Sequence, residues 1–229
     1  MTAAGRTSPL LIVLSALFVT VLLTSNLIAV KLVTFGRWIL PAAVIVFPLS
    51  YLFGDVLTEV YGYAVARRVI WLGFACNLVF VLFISLAGAL PGAPFWQAGD
   101  QAAYNRILGF TPRLLAASFV AYLAGEFLNS FVMARLKILT SGQRLWTRTI
   151  SSTVLGQALD SAIFITGAFV GILPASLLLR TIVTQWAFKS LYEVVATPLT
   201  YAVVGFLKRA EGQDPFDVKT DFNPFTLAG

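Results

Sequence analysis

"FPLSYLFGDVLTEVYGY", residues 47–63, is the stretch on which the fold turns. Asp55 and Glu59 stand one helical turn apart in one of the most apolar parts of a very apolar chain, where a carboxylate is costly to desolvate. Tyr51, Asp55, Glu59 and Tyr63 recur every four residues, so on a helix they form one slowly drifting polar stripe. Such a helix has to face other helices. Pro48, one turn above Asp55's side of the stripe, is placed to bend it.

Working outward, the chain has 229 residues, 59% of them hydrophobic and 11% charged, with a mean hydropathy of +0.86. A soluble domain carries roughly a quarter charged residues, so this composition belongs to an integral membrane protein. A bilayer core about 30 Å thick needs roughly 20 helical residues. The apolar runs then give an all-α bundle of six spans, at about 10–32, 38–62, 69–90, 112–134, 147–173 and 177–207, in a transporter domain of residues 1–210 followed by a tail, 211–229. The first run lacks a small-residue cleavage site and reads as a retained span. Ten Lys and Arg fall in the N-terminus, the second and fourth connections and the tail, against five in the other connections. That asymmetry predicts cytoplasmic termini and an external segment 91–111.

The same pattern flanks membrane spans and leaves no soluble domain with a basic face, so no nucleic-acid partner is expected. The chain has no His and one Cys, which excludes His-ligated zinc or haem, a Ser-His-Asp triad and an intrachain disulfide. Cys76 reads as a packed small hydrophobe, and no cofactor is implied. In the external segment Asp100 is expected to N-cap a short helix carrying Tyr104 and Ile107, with Trp96 and Tyr104 as an interfacial belt or part of a lid. The tail, polar and interrupted by Pro, reads as surface-lying or mobile. A division after residue 111 leaves three spans on each side and admits two inverted three-helix repeats, with Gly54 laid on Gly156 and Leu57 on Leu159.

Helical rise converts sequence distance from the nearest cytoplasmic basic residue into depth. Asp55 and Asp160 come out at about 18 Å, Asn77 and Glu126 at about 14 Å and Glu193 at about 22 Å, with Glu59 lower and Asn26 and Lys189 higher. Gln157 with Asp160, Glu126 with Asn129, and Lys189 with Glu193 are spaced to share helix faces. Five acids, Asp55, Glu59, Glu126, Asp160 and Glu193, are thus expected to face only Lys189 and Lys31. At least three negative charges lack a counter-charge, and the layer must hold protons, cations or a ligand rich in N–H donors.

"SNLIAVKL" (25–32), the opening stretch, "ARRVIWLGF" (66–74), "GEFLNS" (125–130), "GQALDSAIF" (156–164) and "KSLYEVVATPLTY" (189–201) together resemble, in order, the vitamin uptake transporter family of bacterial queuosine precursor transporters. The resemblance implies a multi-pass importer in the bacterial inner membrane for a small-molecule deazaguanine, 7-cyano- or 7-aminomethyl-7-deazaguanine, salvaged for tRNA queuosine. It carries the family's functional positions onto Asn26, Lys31, Asp55, Glu59, Asn77, Glu126, Asn129, Gln157, Asp160, Lys189 and Glu193, and the polar stripe adds Tyr51. A guanine-like edge offers two parallel N–H donors that one carboxylate can accept. A homodimer is left open. Two other readings stand beside this one: the substrate-binding subunit of an energy-coupling-factor importer, whose ATPase would be a separate protein, and an intramembrane enzyme using the Asp pair.

Overall fold

The computed structural model describes residues 8–35, 38–109 and 112–226. Helix α1 (Pro9–Ile28) opens on Ser8, whose Oγ accepts the Leu10 N–H at 3.1 Å. An antiparallel hairpin follows, β1 (Leu32–Phe35) against β2 (Trp38–Pro41), with Phe35 opposite Trp38. A 3-10 turn, Ala42–Ile45, leads into α2 (Phe47–Tyr61). Then come α3 (Tyr63–Ala89), α4 (Ala98–Leu108), α5 (Pro112–Leu139), α6 (Leu145–Phe169) and α7 (Ala175–Glu211).

The hairpin corrects the reading of 38–62 as one continuous helix and ends the first helix at Ile28 instead of residue 32. Val33, Thr34, Phe35, Trp38 and Ile39 are β-branched or aromatic and favour a strand. Pro41 and Pro48 lack the N–H that a helix interior uses. Pro41 accordingly ends β2, and Pro48 lies in the first turn of α2, where that N–H has no partner to lose. Pro48 therefore starts this helix and does not bend it. At the other end Gly62 alone separates α2 from α3, with a φ of 83° that glycine adopts without strain.

Among the described residues α1, α3, α7 and the stretch Ala98–Leu139, which contains α5, are long and apolar enough to cross a membrane. Their outer faces are apolar: Leu78, Leu82, Phe83 and Leu86 of α3, and Leu179, Leu191, Val195 and Leu199 of α7, are exposed. Helix α2 has 15 residues and is not in that group. It packs against α1, α3, α5 and α7, and between Ser50 and Tyr63 every residue but Phe53 is buried. Charges on α2 are tolerated because it is sheathed by protein. A polar interior inside an apolar exterior is the arrangement of a multi-pass membrane protein.

Two segments outside the long helices add detail to their expected form. Helix α4 forms as predicted, but Asp100 occupies its third position and accepts the Gln97 N–H at 3.1 Å, so Gln97 is the N-cap. Tyr104 hydroxyl donates to the Ile84 carbonyl at 3.0 Å and ties α4 back to α3. The tail, of which residues up to 226 are described, lies on the surface as a strap. Asp217 accepts the Tyr63 N–H with both oxygens, at 3.2 and 3.1 Å, and so caps α3. Arg67 donates to the carbonyls of Asp221 and Asn223 at 2.8 and 2.7 Å, and Trp71 to that of Pro224 at 2.7 Å.

Candidate functional site

Glycines bring the polar helices together. A Cβ on Gly156 would stand 2.9 Å from the Gly125 carbonyl oxygen, so α5 and α6 cross backbone to backbone. One on Gly125 would stand 2.7 Å from the Tyr51 hydroxyl, and one on Gly54 2.9 Å from Glu126 Oε2. Gly54 and Gly156, the residues that superpose in the proposed repeat, thus both open space against α5.

Around this crossing the structure gathers Tyr51 and Asp55 from α2, Glu126 and Asn129 from α5, Gln157 and Asp160 from α6, and Lys189 and Glu193 from α7. Apart from Lys189, none of these side chains belongs to a residue more than 5% exposed. Asn129 Nδ2 donates to Asp55 Oδ1 at 2.7 Å, and Lys189 Nζ lies 2.6 Å from Asp160 Oδ2. Asp55 is within electrostatic reach of Glu193 and Glu126, and Glu126 of Asp160. Asn26 Nδ2 donates to Asn77 Oδ1 at 2.9 Å, joining α1 to α3.

The unused atoms of this layer are mainly acceptors. Among the described residues Asp55 Oδ2, both carboxylate oxygens of Glu126, Asn129 Oδ1, Gln157 Oε1 and Glu193 Oε1 are buried without a hydrogen-bond partner. All six are acceptors. Hydroxyls of Ser130, Thr153 and Ser161 are buried in the same condition, but these can donate as well as accept. Leaving so many buried acceptors unsatisfied costs about 1–3 kcal/mol each, so the arrangement is expensive for the protein alone.

Glu59 does not join this group. Its Oε1 lies 2.7 Å from Arg148 Nη2, 2.6 Å from Lys208 Nζ and 3.5 Å from Lys137 Nζ. Lys137 also donates to the Glu59 carbonyl at 2.6 Å. The expectation that all five acids face only Lys189 and Lys31 is therefore wrong for Glu59, and Lys31 is exposed in the turn before β1. Basic residues near helix ends carry long side chains that reach a turn or more along the bundle. Tyr63, last of the stripe, turns to the strap and donates to the Phe222 carbonyl at 3.1 Å.

Sequence reasoning missed Tyr122, whose buried hydroxyl donates to the Ile70 carbonyl at 3.1 Å and which lies within electrostatic reach of Glu126. It stands one turn before Glu126, which was the available signal. Ser130 and Ser161 had none, since hydroxyls are common in membrane helices.

Residues 41–203 match the family model described as "Putative vitamin uptake transporter". The chain belongs to that family. Every member of the buried layer from Tyr51 to Glu193 falls inside the matched region, whereas Asn26 lies before it. This family member is similar to the "Probable queuosine precursor transporter" of Bacillus subtilis (strain 168), 34% identical over 149 residues, 65% of this chain and 64% of that protein. It is also similar to the "Queuosine precursor transporter" of Escherichia coli (strain K12), 30% identical over 123 residues, 54% of this chain and 52% of that one. The matches thus span just under two thirds and about half of the relatives' lengths. No solved structure matches the chain.

Proposed function

We propose that this protein imports queuosine precursors, 7-cyano- or 7-aminomethyl-7-deazaguanine, across the bacterial inner membrane. The observation that carries the reading is the six buried acceptors of the layer that no protein donor meets. A guanine-like edge supplies N1–H and an exocyclic amine side by side, and Glu126, with both oxygens unused, can accept the two together. Lys189, beside Asp160, can donate to the ring carbonyl. Asp55 and Glu193 would suit an aminomethyl cation, and Tyr51 offers a ring face for stacking. The names of the curated relatives point to the same ligand class.

On this reading α1, α2, α3, α5, α6 and α7 are six spans in two inverted halves, with cytoplasmic termini. A cysteine at Ala98, in a Cys76→Ser background, is then labelled by an impermeant reagent in intact cells. Labelling only after lysis would reverse the topology.

The deciding experiment is uptake of labelled deazaguanine bases by cells that cannot make them, with and without this chain. Accumulation only when the chain is present supports the proposal, and no accumulation of either base sinks it. Accumulation that requires a co-purifying ATPase would make the chain the binding subunit of an energy-coupling-factor importer.

A further inference from the structure

One turn below the acceptor layer, four helices meet at a single oxygen atom. Glu59 Oε1 on α2 receives Lys137 from α5, Arg148 from α6 and Lys208 from α7. Every helix of the second half is thereby tied to one residue of the first. Asp214, in the strap, closes the cluster from outside: its Oδ1 lies 2.5 Å from Lys137 Nζ and 2.8 Å from Lys208 Nζ. Glu59, Lys137 and Arg148 are each no more than 1% exposed, whereas the Lys208 and Asp214 side chains are 22% and 46% exposed, so the cluster is a plug buried on its inner side and open to solvent on its outer one. Burial works against the Asp214 charge, but the Lys137 and Lys208 ammoniums outweigh it and hold its carboxyl below the ordinary 3.8.

We propose that Glu59 closes a gate at this basic end of the bundle, and that its cations must let go of it before a ligand held at the acceptor layer can leave in that direction. The inference rests on the transporter reading and assigns Glu59 a role apart from ligand binding. Its position suits the task. Asp55 lies four residues earlier on the same helix, about 6 Å away along the axis, so a ligand that shifts α2 through Asp55 shifts Glu59 with it.

The choice of ions for the seal also fits a gate better than a permanent joint. A buried ion pair is a poor source of net stability, because the desolvation cost consumes most of the attraction, and apolar packing would hold the same helices as well. A joint that opens to water is different. Separated ions are hydrated when the passage fills, so the open state recovers the desolvation cost, whereas parted apolar surfaces gain nothing from water. Closed and open forms thus stay close in free energy, as a two-state element requires. Glu59 Oε2, buried and without a hydrogen-bond partner among the described residues, remains to meet a donor arriving from the layer above.

The test needs no ligand. Ser161, fully buried beside Asp160, is replaced by cysteine in a Cys76→Ser background, and the protein is placed in nanodiscs, where both faces meet a water-soluble maleimide. Glu59→Gln is expected to raise the labelling rate at least about tenfold, Lys208→Met less, and Asp214→Asn least, since Asp214 only braces the cations. Unchanged labelling in folded Glu59→Gln and Lys208→Met overturns the gate. If Glu59→Gln does not fold, the other two variants decide in the same way, and failure of all three to fold makes the cluster a structural joint and overturns it equally. Faster labelling without deazaguanine uptake would remove the proposed ligand and leave the gate. Uptake with unchanged labelling would do the reverse.

Discussion

Asp55 and Glu59 lie on one face of one helix, both wholly buried, and differ in everything around them. Asp55 shares one oxygen with Asn129 and sits among acids and unused acceptors. Glu59, a turn away, collects three cations on one oxygen. A bundle that could place cations beside one carboxylate did not place them beside the other. The donor-poor layer is therefore a property that the fold maintains, and burial alone does not account for it.

The comparison breaks most sharply at the layer itself. Glu126→Gln and Asp55→Asn are expected to reduce deazaguanine uptake by about 10- to 150-fold, since a charge-assisted acceptor pair is worth on the order of 1.5–3 kcal/mol and the amide puts a donor where an acceptor is needed. Equal uptake by wild type and both variants, at equal membrane levels, would end the assignment. Gly125→Ala comes next. Its Cβ would press on the Tyr51 hydroxyl and on Asp160, costing about 1–3 kcal/mol and roughly tenfold in uptake. Gly205→Ala, with nothing within 4 Å, should change neither and serves as the control.

Acidity sharpens the contrast. A ligand with N–H donors favours ionised carboxylates, so binding releases whatever protons the empty layer holds, and affinity should rise with pH. The slope should flatten in Glu126→Gln. Asp214 cannot supply it: with its carboxyl held below 3.8, its contribution to the latch is fully present above that value and is lost only as pH falls through the lowered one. A slope of the same size in Glu126→Gln would move the titration elsewhere. The smallest effect is expected for Asp217→Asn, which weakens the cap on α3 by about 1 kcal/mol, lowers the melting temperature by a few degrees and leaves uptake near normal.

Much of the layer was legible because its elements of evidence are local. Four-residue spacing put Asp55 and Tyr51 on one face, and counting residues from Arg67, Arg135 and Arg148 gave the acids similar depths. Long apolar runs announced α3, α5 and α7 to within a few residues. The hairpin was hidden because ten residues of strand pattern sit between two apolar helices and raise the hydropathy of both. Glu59's partners were hidden for a different reason. By sequence Lys137, Arg148 and Lys208 are membrane-flanking charges, and spacing says nothing of where a long cationic chain on one helix lands on another. The tail's surface position was legible in its polar, Pro-interrupted composition, but its attachment was not, since Arg67 and Trp71 hold it through carbonyls that any residue would have offered.

The cap on α3 joins residues 154 positions apart. Gly62 brings no side chain to the start of that helix, so the Tyr63 amide waits for Asp217. On the ribosome Asp217 is made after all of the described helices. The junction between α2 and α3, made early, is therefore among the last parts of the molecule to be completed. A fusion or affinity tag at the C-terminus acts, through the strap, on a helix start laid down in the first third of synthesis.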